Sequence, residues 1–353
     1  MDMLQITAVL ISLTAVFSFL NYVFLKLPST IGVMAISMAL SLMLLLLGGL
    51  GFPLLLEQEQ SLLAGVDFST TLLHGMLSFL LFAGALHVDI NRLSEMKWIV
   101  ASLATIGVLI STLLVAVLLW GVSLLLDLPL TFIHCLLFGA LISPTDPVAV
   151  ISTLKTLGVP ASLETKIAGE SLFNDGVGVV LFLVIFNIAY ASEPMQAIDV
   201  AELFVTETLG GALFGLLIGY IAYRMLRQVD NYQVEIIISL ALVMGGYAFA
   251  EAWHLSAPIA IVVAGLLIGN HGRQFAMSDK TRKHLDTFWE LVDEILNAVL
   301  FVLLGLEILL IIPISTNTFL LSLLAIPVVL LARFVSVSIP VSVLRGRYQF
   351  SPG

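Results

Sequence analysis

The sequence predicts an all-α polytopic membrane protein, and three observations carry that expectation. Hydrophobic residues make up 60% of the chain and charged residues only 11%, with a mean hydropathy of +1.12. That is more apolar surface than a water-soluble core can hide, so lipid must cover it. The apolar residues also fall into runs near the roughly 20 residues that a helix needs to cross a bilayer core. Finally, the basic residues gather on one side of the map those runs define.

Reading apolar runs between charged or Gly/Pro-rich breaks gives eleven spans: 4–25, 29–50, 68–88, 98–126, 129–154, 163–190, 202–226, 234–253, 256–271, 288–312 and 318–343. The first starts behind Asp2 with no basic leader and no small-residue cleavage signal, so it reads as a retained helix. Lys26 follows it, whereas the second span ends in a connection bearing Glu57, Glu59 and Asp67. Arg92 and Lys97 follow the third span and Asp127 the fourth. Lys155 and Lys166 flank the turn after the fifth, and Glu193, Asp199 and Glu202 mark the connection after the sixth. Arg224 and Arg227 end the seventh. The eighth closes on Glu251 and His254, read as interfacial, and Arg273, Lys280, Arg282 and Lys283 follow the ninth. Glu307 sits near the outer end of the tenth span, and Arg345 and Arg347 follow the eleventh. Every basic residue outside a span lies on one side, which by the positive-inside rule puts the N-terminus outside and the C-terminus in the cytoplasm, as in a multi-pass plasma (inner) membrane protein.

The longest polar connections, 53–67 and 272–287, are short, so residues 1–353 read as a single transmembrane domain. Cys135 stands alone in an apolar stretch, which excludes a disulfide framework and makes it a packing residue. The six histidines are scattered with no His/Cys ligand spacing, so zinc and copper are not expected and no cofactor is implied. The net charge of −10 belongs mostly to the outer loops and points to no nucleic-acid partner.

Topology accounts for thirteen of the fourteen basic residues and leaves Arg333 inside "PVVLLARFVSVSIP". An arginine at that depth needs a partner or a function. Three acids are available to it, Asp146, Glu170 and Asp175, with Glu251 and Glu307 as outer candidates. "IAGESLFNDGVGVVLF", residues 167 to 182, carries Glu170, Ser171, Asn174 and Asp175. On a helix, Ser171 and Asp175 form one i,i+4 pair, and Glu170 and Asn174 form a second pair one step round. The alternative, a loop, is raised by Gly169, Gly176 and Gly178, yet small residues are also what closely packed membrane helices use.

In "LISPTDPVAVIS", Pro144 and Pro147 remove backbone donors around Thr145 and Asp146. A plain proline kink with Asp146 facing water is one outcome. The other is a discontinuous helix whose freed carbonyls bind cations in a cavity. Pairing Arg333 with Glu170 would leave Asp146 and Asp175 for a cation. Together with Ser171, Thr145 and unwound backbone they offer the oxygens that a hard monovalent cation wants. Low dielectric disfavours a charged carboxylate, so such a group holds a proton or a metal ion near neutral pH, not both. That competition, in a protein opening to one side at a time, suffices for cation/proton exchange.

"SPTDPVAV", "GESLFNDG", "SAPIAIVVAGLLIGN" and "LFVLLGLEI" together resemble the bacterial NhaP-type sodium/proton antiporters of the monovalent cation:proton antiporter-1 family, related to the animal sodium/proton exchangers. The resemblance runs from about the first helix to the last residue. It implies an antiporter fold of inverted repeats with a dimerisation domain and a mobile core, a homodimer as its assembly, and a proline-broken helix at the site. It implies Asp175 as the carboxylate that carries cation and proton, with Ser171, Thr145 and Asp146 helping to bind the cation. Asn174 marks the electroneutral branch, and Glu170 with Arg333 matches the structural ion pair. Two departures stand out. Ala83 occupies the position where some members carry a glutamate. The family also continues beyond "LRGRYQFSPG" into a broken helix and a final helix, so this chain is expected to lack the last two helices, to fold poorly alone and to transport weakly or not at all. Two rival readings are an intramembrane aspartyl protease using Asp146 and Asp175 and a passive cation channel. The glycines of "LFNDGVGV" follow the acid instead of preceding it, and no filter-like repeat is present.

Overall fold

The computed structural model describes residues 3–49, 76–95, 97–145, 161–190, 197–307 and 316–344, and these are almost entirely helical. In chain order the helices are α1 (Met3–Leu20) and α2 (Ser29–Gly49), then α3 (Leu77–His87) and the short α4 (Ile90–Glu95). Next come α5 (Lys97–Leu125) and α6 (Phe132–Ile142). The 30-residue helices α7 (Ala161–Tyr190) and α8 (Ala197–Leu226) follow. The chain continues through α9 (Tyr232–Ala252), α10 (Ala257–Leu267), α11 (Asp279–Glu307) and α12 (Thr316–Leu344). Among the described residues, seven helices are long and apolar enough to cross a membrane, by length and composition. The spans expected at 68–88 and 129–154 lie partly outside the described residues and are seen as the shorter apolar helices Leu77–His87 and Phe132–Ile142.

One boundary differs clearly from the sequence reading. Residues 272–287 were expected as a polar connection, yet helix α11 starts at Asp279. Its first turns are amphipathic: Thr281, Leu285 and Trp289 are buried while Asp279, Lys280 and Lys283 face out. The helical period, not the apolar run, marks where this helix begins. Among the described residues, π-helical turns stand at Asn21–Leu25, Leu103–Gly107 and Ile268–Gly272.

Long apolar side chains cover the outside of nearly every helix, for example Leu125 at 84% exposed and Phe334 at 73%, as a lipid-facing surface requires. Inside, one large cluster joins α3, α8, α9, α10 and the start of α11. Trp289 is fully buried there, packed on Phe79 and Phe82, and its Nε1 donates to Ser239 Oγ at 3.0 Å. The second half of α11 joins α1 and α2 around Val302 and Leu306. Lipid tails are as apolar as leucine, so small residues and hydroxyls must hold such helices together. Ser37 and Ser41 of α2 do this, donating to the carbonyls of Phe301 and Gly305 on α11 at 3.4 and 2.9 Å. A third cluster joins α5, α6 and the start of α12. Helix α7 lies between these groups, touching α6, α5, α10 and α8, and so carries its polar residues to the centre of the assembly.

Candidate functional site

The site is built where the end of α6 meets the middle of α7. Pro144 has no N–H, so the bond that would continue α6 is lost, and the helix ends at Ile142 with Ser143–Thr145 outside regular helix. Ser143 is buried, its hydroxyl donating to Gly139 O at 2.6 Å and accepting from Thr112 of α5 at 3.3 Å. Two glycines let the helices close in. A Cβ on Gly139 would lie 2.5 Å from Thr112 O, and one on Gly178 of α7 would lie 2.1 Å from Pro144 Cγ. The Pro144 ring thus sits against bare backbone, which brings Thr145 to the polar face of α7.

On that face, Asn174 is fully buried and Ser171 is 1% exposed. Asn174 Nδ2 donates to Glu170 Oε1 at 3.0 Å and to Thr145 Oγ1 at 3.1 Å, while its Oδ1 accepts from the Thr145 backbone N–H at 3.4 Å. Arg333, from α12, donates through Nη2 to Glu170 Oε1 and to Thr145 Oγ1, the latter at 3.3 Å. A hydroxyl oxygen has two lone pairs and one proton. Thr145 Oγ1 accepts twice, so its proton is directed to Ser171 Oγ, 3.4 Å away. Arg333 Nη1 is buried with no hydrogen-bond partner among the described residues.

Glu170, Ser171, Asn174, Thr145 and Arg333 are therefore brought together. Asp175 is half-buried on α7, one helical turn from Ser171 on the same face. Asp146 and Pro147 lie outside the described residues, as does everything from there to residue 160. Ala83, on α3, is buried and supplies no oxygen from its side chain. Among the described residues no cluster of three His, Cys, Asp or Glu side chains could hold a metal ion. Histidines make local contacts instead: His87 Nδ1 with Ala83 O at 2.8 Å, His134 Nδ1 with Thr131 Oγ1 at 2.7 Å, and His284 stacked on Tyr232.

Two residues escaped the sequence reading. Thr112 supports the end of α6, but a lone threonine in an apolar run carries no signal of its partner. Glu235 is completely buried near the start of α9, with neither carboxylate oxygen hydrogen-bonded among the described residues. A lone glutamate at the edge of an apolar run gives no local sign that it will be buried.

The model of the transmembrane sodium/hydrogen exchanger family matches residues 8–351. The chain belongs to that family. It is 52% identical over 308 residues to the Na(+)/H(+) antiporter NhaP of Pseudomonas aeruginosa, covering 87% of this chain and 73% of the relative. It is 37% identical over 275 residues to the Na(+)/H(+) antiporter NhaH of Halobacillus dabanensis, covering 77% of this chain and 67% of that protein. The fold matches the sodium proton antiporter MjNhaP1 of Methanocaldococcus jannaschii with a TM-score of 0.76 at 20% identity, over 99% of this chain and 81% of that one. This is a family of transporters, not enzymes.

Proposed function

We propose that this member of the sodium/hydrogen exchanger family exchanges sodium for protons across the plasma (inner) membrane, with Asp175 as the group that holds either ion in turn. The observation that carries the proposal is the convergence of Thr145, Ser171, Asn174, Glu170 and Arg333 beside Asp175, where α6 breaks. Ser171 offers a hydroxyl oxygen next to the carboxylate, Thr145 joins it by giving up one of the two hydrogen bonds its oxygen accepts, and Asp146 follows Thr145 directly in the chain. Hard monovalent cations take such oxygens. The Glu170–Arg333 pair is structural in this reading, since its charges satisfy each other. Asn174, neutral at its position, adds no further charge beside Asp175, which fits electroneutral exchange.

The remaining features follow the same reading. Residues 1–353 form one membrane domain, with the N-terminus outside and the C-terminus cytoplasmic, that works as a homodimer. The fold is one of inverted repeats, and the broken helix at Pro144 lines the cavity. The curated relatives are named as antiporters, which supports exchange over proteolysis or passive conduction. In everted vesicles, Asp175→Asn is expected to abolish sodium-dependent proton movement while the protein still inserts. Sodium-dependent proton movement at the wild-type rate in that variant would refute the assignment.

A further inference from the structure

Glu235 stands in the first turn of α9, at the end that faces the cytoplasm in the proposed topology, and none of its surface is exposed. Neither of its carboxylate oxygens has a hydrogen-bond partner among the described residues. The start of α11 covers it. One turn further along α9, Ser239 accepts from Trp289 Nε1 at 3.0 Å, and Thr281, earlier on the same buried face of α11, is set against Glu235. The Thr281 hydroxyl is occupied elsewhere, donating to Ser278 O at 3.3 Å.

Among the described residues no cation pairs with this carboxylate. On the helices and turns packed around α9, Arg273 is held by Asp286 and Arg282 by Asp279, while His87 lies 3.7 Å from Glu290 and His284 stacks on Tyr232. Lys280, Lys283, Arg224 and Arg227 are exposed, and α10 carries no ionisable residue. Asp230, in the connection ahead of α9, adds a second negative charge to the surroundings of Glu235 and accepts from Ser278 Oγ at 2.8 Å. A buried carboxylate left charged and unpaired costs far more than a buried neutral acid, so such a group takes up a proton instead.

We propose that Glu235 is a second proton-binding site, which holds a proton for as long as the first turns of α11 cover it. It is separate from the exchange site. Helix α9 packs chiefly on α3, α8, α10 and α11, whereas Thr145, Ser171 and Arg333 belong to the end of α6, to α7 and to α12. Seating the amphipathic start of α11 on α9 then takes up one proton, and lifting it returns that proton to water. The inference needs no assumption about ion exchange and is read without a transport assay.

Infrared spectra of the purified protein at neutral pH test it. The carbonyl band of a protonated carboxylic acid is expected in the wild type and should lose the intensity of one group in Glu235→Gln. Thermal unfolding in detergent gives a second readout. A proton held by the folded chain and released on unfolding makes stability fall as pH rises above the ordinary glutamate value of about 4.3. Glu235→Gln has no such proton to lose, so its Tm minus that of the wild type should grow from acid to alkaline buffer. An unchanged infrared band, or a Tm difference that is the same at every pH, overturns the proposal. If Glu235→Gln does not fold, Glu235→Met is read in the same way. Failure of both neutral replacements would show that the charged carboxylate is required, and would overturn it too.

Discussion

Thr145 shows how tightly the site is specified at the scale of single residues. Its oxygen accepts from Asn174 and Arg333, its proton points at Ser171, and its backbone N–H is taken by Asn174 Oδ1. Asn174 is the organiser, giving its amide protons to both Thr145 and Glu170. Replacing it by aspartate removes those donors and sets two carboxylates face to face. Unmade buried hydrogen bonds cost about 1–3 kcal/mol each, so Asn174→Asp should unfold at lower temperature in detergent even before transport is measured. Arg333 is held to the same cluster with its side chain only 21% exposed, and Glu170 is 12% exposed. Removing one partner of a buried pair typically costs about 3–5 kcal/mol. Arg333→Ala is therefore expected to lower Tm strongly while leaving the sodium concentration for half-maximal exchange little changed. An unaltered Tm with a shifted sodium dependence would place the guanidinium among the ion's ligands.

At the scale of elements, the approach of α7 to the end of α6 decides where Thr145 sits. Gly178 leaves room for Pro144, and a methyl group there would come 2.1 Å from the ring. Overpacking of this kind costs roughly 1–3 kcal/mol. Gly178→Ala should push the Ser143–Thr145 segment off α7, reduce exchange and lower stability, whereas Gly121→Ala, with nothing within 4 Å, should change neither. Much of this arrangement was legible in the sequence. The i,i+4 spacing puts Glu170 and Asn174 on one face, and they are hydrogen-bonded at 3.0 Å. A lone arginine in an apolar helix announced the need for a partner, while Pro144 and Pro147 left a kink and a break both open, and α6 is helical only to Ile142, with residues 146–160 outside those described. The start of α11 was misread because hydropathy detects apolar runs, while Asp279–Glu290 is an amphipathic stretch that buries only one face. Thr112 and Glu235 were invisible for a related reason. Their burial depends on which helices become neighbours, and no local pattern encodes that.

For the whole molecule, sidedness and exchange are the claims that matter. Cys135 is buried and is the chain's single cysteine, so Cys135→Ala offers a clean background for labelling. A cysteine at Lys26, which is exposed after α1, should react with an impermeant thiol reagent only from the cytoplasmic side. One at Gln5 near the other end of α1 should react from the outside; the reverse pattern would invert the topology. The polar cluster sits between the end of α6, α7 and α12, where the Glu170–Arg333 pair compensates its own charges. Exchange then reduces to competition at Asp175, and calorimetry on the purified protein in buffers of differing ionisation heat measures it directly. Sodium binding should release a proton, and the apparent affinity should fall as the pH is lowered. Sodium binding that releases no proton and is indifferent to pH would contradict the account.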